Sequence, residues 1–377
     1  MGFTGRTSTT LRRLVAAAMT AALAMAPATA AAAEEYEHAG TAFDIAAAPN
    51  GGILLADGGT GVIYELRNGR STPLASVAIP VTVPPTTLNG LAPIGRGNVF
   101  ATTGGGDLAT GAKLWRVSPG GARMVADIEA FETNNDPDAL AGPMWKDQRC
   151  EAVPPFNAGP QSNPYHVAAR SGGEALVADA AGNTLLSAKT NGDIDWVAVF
   201  TPPTADGSGS IDPSEWLALF PLDADTTCYV QPVPTSVAIG PDGAVYVGEL
   251  TGATPTNLGG LASTGQSRIW RIAPGAQNVV CPSAQCTVVA SGLTSVIDLA
   301  FGPDGALYAV EWDANGWFAA LVLGTPAGGT VQRCDVSTGA CAPIATGLAL
   351  PGAITFDGEG NLWVLENVFA PMVRMLP

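Results

Sequence analysis

The chain of 377 residues is 47% hydrophobic and only 13% charged, and its 46 Gly and 30 Pro make up about a fifth of it. So many chain breakers and so few charges exclude a long helical bundle or coiled coil, and the apolar content excludes disorder. A turn-rich, mostly β protein with a large core remains, and 33 acidic residues against 17 basic ones make nucleic acid and membrane improbable partners.

The first segment is read as a targeting signal. Arg6, Arg12 and Arg13 lead into an apolar run from Leu14 to Met25, followed by small-residue cleavage sites at Ala28-Thr29-Ala30 and Ala31-Ala32-Ala33. This pattern predicts a secretory signal peptide over 1–33 and a secreted, extracellular mature chain. The apolar run is short for a transmembrane span. Its removal leaves 14 basic against 33 acidic residues, a net charge near −19. Such a surface gathers metal cations most readily.

A repeated unit follows. Five segments share an apolar run, a Gly-containing turn, a second apolar run and an acid: 43–57, 166–179, 236–249, 298–311 and 353–366, with a weaker copy at 89–103. Each reads as two strands joined by a tight turn. A third and a fourth strand follow most copies, as in IYEL then STPLASV, or IWRI then CTVVASG. Four antiparallel strands repeated six times predict an all-β fold, a six-bladed β-propeller. The last copy has only three strands before the chain ends at Pro377. The segment around Tyr36 to Gly40 is therefore expected to supply the fourth and close the ring, leaving no open sheet edge.

The turn glycines Gly51, Gly97, Gly173, Gly243, Gly305 and Gly360 anchor the copies. Their spacing exceeds a bare blade of roughly 40–50 residues. The excess is assigned to insertions, the largest at about 129–162 and 201–232, both rich in Pro, Asp and Asn and strand-poor. Both are expected on one face of a single propeller over 34–377, where repeat folds build binding surfaces.

The segments NPYHVAA, ALVADAAGNTLL, VPTSVAIGPDGAVYVGELTG, SRIWRIAPG and VIDLAFGPDGALYAVE resemble the ScyD/ScyE family of exported propeller proteins, over essentially all of 40–377. Related propellers of the gluconolactonase, strictosidine-synthase and streptogramin-lyase types share the GPDG turn. The resemblance implies a secreted β-propeller and no established catalytic residues. The cysteines, the 201–232 insertion and the extra length between Glu249 and Ser267 depart from the usual form.

Six cysteines in an exported chain are read as three disulfides. Cys334 with Cys341 and Cys281 with Cys286 would each clip the outer two strands of a blade. Cys150 with Cys228 would then join the two insertions.

Three sets of side chains are candidates for function. In the loop 204–215, Asp206, Ser208, Ser210 (through its carbonyl), Asp212 and Glu215 stand at the ligand positions of an EF-hand-like calcium loop, with Gly209 at the turn and Trp216 to Phe220 as a possible exit helix. The alternative is a Gly/Ser turn before a helix capped by Asp212. The acids that end each second strand, Asp57, Asp179, Glu249, Glu311 and Glu366, with Thr103 in the weak copy, are either a ring of ligands or acceptors for loop N–H groups. At the inner-strand entry stand Asp44, Gly90, His166, Ser236, Asp298 and Ala353. Asp44, His166 and Asp298, with Asn89 nearby, are expected to converge on the mouth of the central channel, where gluconolactonase-type propellers hold a divalent cation. An ordinary polar channel is the alternative.

No HExxH, nucleophile elbow or P-loop is present, and Gly104-Gly105-Gly106 opens no dinucleotide-binding helix. The expectation is a secreted, monomeric binding or scaffold module for a small molecule or protein, with calcium as the candidate cofactor. The alternative is a metal-dependent lactonase or lyase with its cation at the channel mouth.

Overall fold

Every copy of the repeat forms the inner hairpin of a four-stranded antiparallel sheet, and six such sheets make a six-bladed β-propeller. The computed structural model describes residues 34–377 except 96, 107–110, 142–159, 172, 224–225 and 256–260. The inner strands of blades 1 to 6 are Ala42–Ala47, Thr86–Gly95, Pro164–Arg170, Pro234–Ile239, Val296–Phe301 and Ala353–Phe356. The ring closes as the sequence predicts. Glu35–Glu37 pairs antiparallel with Met372–Met375 as the outer strand of blade 6, Tyr36 opposite Val373. The Tyr36 ring is buried and lies 6.1 Å from that of Trp363.

The core is divided into six apolar layers, one between each pair of successive blades. Leu176, Val197 and Phe200 of blade 3 meet Val237, Val247 and Trp270 of blade 4; Tyr36 and Leu365 of blade 6 meet Ile45 and Leu55 of blade 1. Both faces of each sheet are thus covered, which explains why the inner strands read as continuous apolar runs rather than alternating ones. Edge-to-face rings repeat across two of these layers, Tyr246 on Phe301 and Tyr308 on Phe356, each at 4.9 Å.

The tight turns follow the Pro-Asp-Gly chemistry. Asp242 and Asp304 each accept the backbone N–H two residues on, and Gly243 and Gly305 take φ of 77° and 76°, which only glycine adopts freely. Their second carboxylate oxygens reach Arg271 and Arg333 on the third strands, at 2.6 and 2.8 Å.

Antiparallel pairing sorts the connections between two faces. The inner strand starts, and the second strand ends, on one face, which therefore receives the segments 77–85, 128–163, 201–233, 250–266 and 312–328. The other face carries tight turns and one longer excursion, 273–285. In that excursion Val279–Cys281 leaves blade 4 and runs parallel to Ile194–Phe200, making blade 3 five-stranded. The Cys281–Cys286 disulfide therefore ties this added strand to blade 4 rather than clipping a plain hairpin, whereas Cys334 and Cys341 are register partners on the outer strands of blade 5. The pairing of Cys150 with Cys228 lies outside the described residues.

Two expectations for the insertions are corrected. The segment 201–232 is not strand-poor, since Ala218–Asp223 and Thr226–Tyr229 form a hairpin. The exit helix over 216–220 is absent for the same reason: Trp216 bridges to Thr204, and the chain then enters the hairpin. The described part of 129–162 holds helix α1 (Ile128–Asn135), N-capped by Asp127, and a 3-10 turn over Asp138–Ala141. Among the described residues, no helix is long and apolar enough to cross a membrane.

Candidate functional site

The inner-strand entry is shaped by a repeated irregularity. In blades 1 to 5 the register slips just after the strand begins, between Ala42 and Asp44, Leu88 and Gly90, Pro164 and His166, Pro234 and Ser236, and Val296 and Asp298. A bulge at one height in five blades re-aims the residue after it. Six large side chains could not all meet on the axis. Blades 1, 3 and 5 therefore carry Asp44, His166 and Asp298, while blades 2, 4 and 6 carry Gly90, Ser236 and Ala353. The small residues are needed: a Cβ on Gly90 would stand 2.9 Å from His166 Cα.

The predicted convergence of Asp44, His166 and Asp298 is present. His166 Nε2 lies 3.6 Å from Asp44 Oδ2 and 3.4 Å from Asp298 Oδ1, and both carboxylates are only 1% exposed. Each odd blade is also tied to the next blade through the same backbone position. Asp44 accepts Leu91 N–H at 2.6 Å, and Asp298 accepts Ile354 N–H at 2.8 Å. Val237 N lies 3.5 Å from His166 Nδ1, and Nε2 faces the two carboxylates. Burial disfavours the imidazolium, yet Asp44 and Asp298 outweigh it and raise His166 to about 9. Burial raises Asp298 to about 7 against the pull of His166. Asn89, also expected here, turns aside to Pro164 O at 3.1 Å and Asn163 Oδ1 at 3.4 Å.

The acids ending the second strands act as acceptors. Asp57 takes Gly59 and Thr60 N–H, Asp179 takes Asn163 and Gly182 N–H, Glu311 takes Thr294 N–H and Glu366 takes Ala349 N–H. Thr103 fills the place in blade 2 by donating to Gly111 O. Glu249 differs. Arg268, unmarked by the sequence reading, grips it with Nε at 2.8 Å and Nη2 at 3.0 Å, while donating to Thr201 O at 2.7 Å. Arg268 and Glu249 are fully buried, and the guanidinium lies 4.7 Å from the Trp270 ring centroid. One buried cation thus fastens the 201–232 insertion to blade 4.

In the 204–215 loop the exposed Asp206 accepts Ser208 N–H and both the Ser208 and Thr204 hydroxyls. Asp212 caps the turn Pro213–Glu215 through Ser214 N–H, and Ser210 O accepts Trp216 Nε1–H at 2.7 Å. Asp212 thus has the capping geometry of the alternative reading, ahead of a single 3-10 turn; Glu215 is exposed.

Two groups of described side chains bring three ligand atoms close enough to hold a metal ion: Asp44, His166 and Asp298 on the axis, and Glu132, Asp136 and Asp138 in the insertion after blade 2. On the axis the donors are already engaged. Three carboxylate oxygens take backbone N–H groups and only Asp44 Oδ1 has no partner. That arrangement fits a shared proton better than a divalent cation.

Fold and axis together define a class, a six-bladed β-propeller with an ionisable cluster at its hub. Compared with protein-family models and with curated proteins, the chain matches none. Solved structures do match in fold. The PQQ-bound aldose sugar dehydrogenase of Streptomyces coelicolor superposes with a TM-score of 0.50 at 11% identity, covering 91% of this chain and 98% of that one. A Bacteroides thetaiotaomicron protein of unknown function gives 0.50 at 10%, covering 91% and 72%. A Xanthomonas campestris gluconolactonase gives 0.49 at 12%, covering 90% and 88%. At such identities the likeness extends to the fold alone.

Proposed function

We propose that this chain is an exported, monomeric binding module of the ScyD/ScyE type, which holds a small molecule or protein on the face that carries its long connections. One observation carries the reading. Of the nine large hydrophobic residues exposed among the described residues, seven lie on connections of that face: Val81, Val83, Ile211, Leu321, Val322, Leu323 and Phe369. Scattered exposed apolar side chains are normal, but their concentration on one face marks an interaction surface. The axial cluster supports the reading too, because its buried carboxylates spend their oxygens on backbone N–H groups and so bind the blades together. The signal-peptide pattern expected over 1–33 and the two disulfides are compatible with export.

The lactonase or lyase reading rests on Asp44 Oδ1, the one carboxylate oxygen of the axial cluster without a hydrogen-bond partner. A single experiment separates the two. The purified chain is titrated with the apolar dye Nile red and assayed against a panel of lactones with Mg2+, Ca2+, Mn2+ and Zn2+. The binding reading expects dye binding that Val81→Asp with Leu323→Asp abolishes, and no turnover. Cation-dependent turnover lost in Asp298→Ala would overturn it.

A further inference from the structure

The insertion after blade 2 holds a group of acids unlike any other among the described residues. Glu132 on α1, with Asp136 and Asp138 just beyond it, place ligand oxygens within 4.8 Å of one another. Asp179, from the second strand of blade 3, lies beside the group. A Cβ on Gly182 would stand 3.1 Å from Glu132 Oε2 and 3.3 Å from Asp179 Cγ, so the two carboxyls flank that glycine. Glu132 and Asp179 are fully buried, and both oxygens of Glu132 and Oδ2 of Asp179 lack any hydrogen-bond partner. A proton alone would not satisfy Glu132, because a protonated carboxyl still needs an acceptor for its O–H.

The surroundings deepen the deficit. The acids gather at the C-terminal, negative end of α1, whose last turn holds no basic residue, whereas that end ordinarily favours cations. Asn183 donates to Asp138 Oδ2 at 3.1 Å. Burial and mutual repulsion push Glu132 up to about 10 and raise Asp138 and Asp179.

We infer that Glu132, Asp136, Asp138 and Asp179 form a binding site for one calcium ion, which ties α1 to blade 3. The donors are all oxygens, the set that hard cations take, with no His or Cys to favour zinc or copper. A helix end and irregular turns suit the adaptable coordination of Ca2+ better than the strict octahedron of Mg2+. The site is independent of the 204–215 loop and of the axial cluster.

Calorimetric titration of the chelator-stripped chain with CaCl2, paired with thermal unfolding, tests the assignment. One binding event is expected, with a Tm rise of about 5 °C at a hundredfold excess over Kd. Both should vanish in Glu132→Gln and persist in Asp298→Asn. If Glu132→Gln does not fold, Asp136→Asn at the half-buried rim takes its place and is expected to weaken Ca2+ about tenfold or more. The assignment is overturned if Ca2+ produces no event, if the event survives unchanged in the folded variant, or if it is lost only in Asp298→Asn.

Discussion

Asp179 and Glu249 occupy the same place in adjacent blades, each opposite the first residue of its inner strand, Pro164 and Pro234. Their neighbours are opposite in charge. Glu249 has Arg268, Trp270 Nε1–H at 2.5 Å and no exposed atom to lose; Asp179 faces Glu132 and Asp138, with one oxygen unpartnered. The repeat supplies an acid at five of the six blades, and whatever packs over it decides its charge partner. In blade 4 the partner is written into the third strand. In blade 3 no ion pair reaches Asp179 among the described residues, and the calcium ion inferred above takes that place.

Removing the built-in partner should have the largest effect. Arg268→Met leaves Glu249 buried and uncompensated and frees Thr201 O, so a loss of about 3–5 kcal/mol in denaturant unfolding is expected. A loss under about 1 kcal/mol would mean that the pair is not the anchor of the insertion.

The axial cluster is the intermediate case, two acids sharing one imidazole. Because His166 is raised from 6.5 to about 9, the folded state binds its proton more tightly than the unfolded state does. The stabilisation is complete below about pH 6.5 and is lost as pH rises through 9. Wild type in chelator should therefore lose about 3 kcal/mol more over that interval than His166→Asn does. Parallel pH profiles for the two proteins would refute the shared proton. A smaller effect, about 2 kcal/mol, is expected for Gly90→Ala, since its Cβ would push against the strand carrying His166.

The smallest effect belongs to the unpaired side of the comparison. Without calcium, burial keeps Glu132 neutral at pH 7, so Glu132→Gln should shift stability by less than about 1 kcal/mol, against several for Arg268→Met. A large loss in chelator would show that Glu132 has a protein partner after all.

The ring was legible because the blades solve the same problem with the same devices: Gly243 and Gly305 in positive-φ turns, an apolar pair of strands and, in five of the six, an acid at the end. The axial residues were legible for the same reason, since equal offsets from the anchor glycines mean equal heights on the ring. The bulge that aims them leaves no mark in the residue pattern. The acid cluster was hidden because it joins Glu132 to Asp179 across 47 residues through an insertion whose path no period predicts. Arg268 lay inside SRIWRI, yet nothing in that string shows that it points at Glu249 and the 201–232 loop. The misplaced exit helix had a local cause: Thr226 to Tyr229 offered Leu217 to Asp223 a strand partner, and pairing outweighed helix propensity.

The most direct measurement is an anomalous-difference map from crystals of the whole protein grown with calcium. A peak bounded by Glu132, Asp138 and Asp179, with none between Asp44, His166 and Asp298, is the predicted result. A peak on the axis with none beside α1 would contradict the account, making the hub a metal centre and leaving the acids of the insertion without their cation.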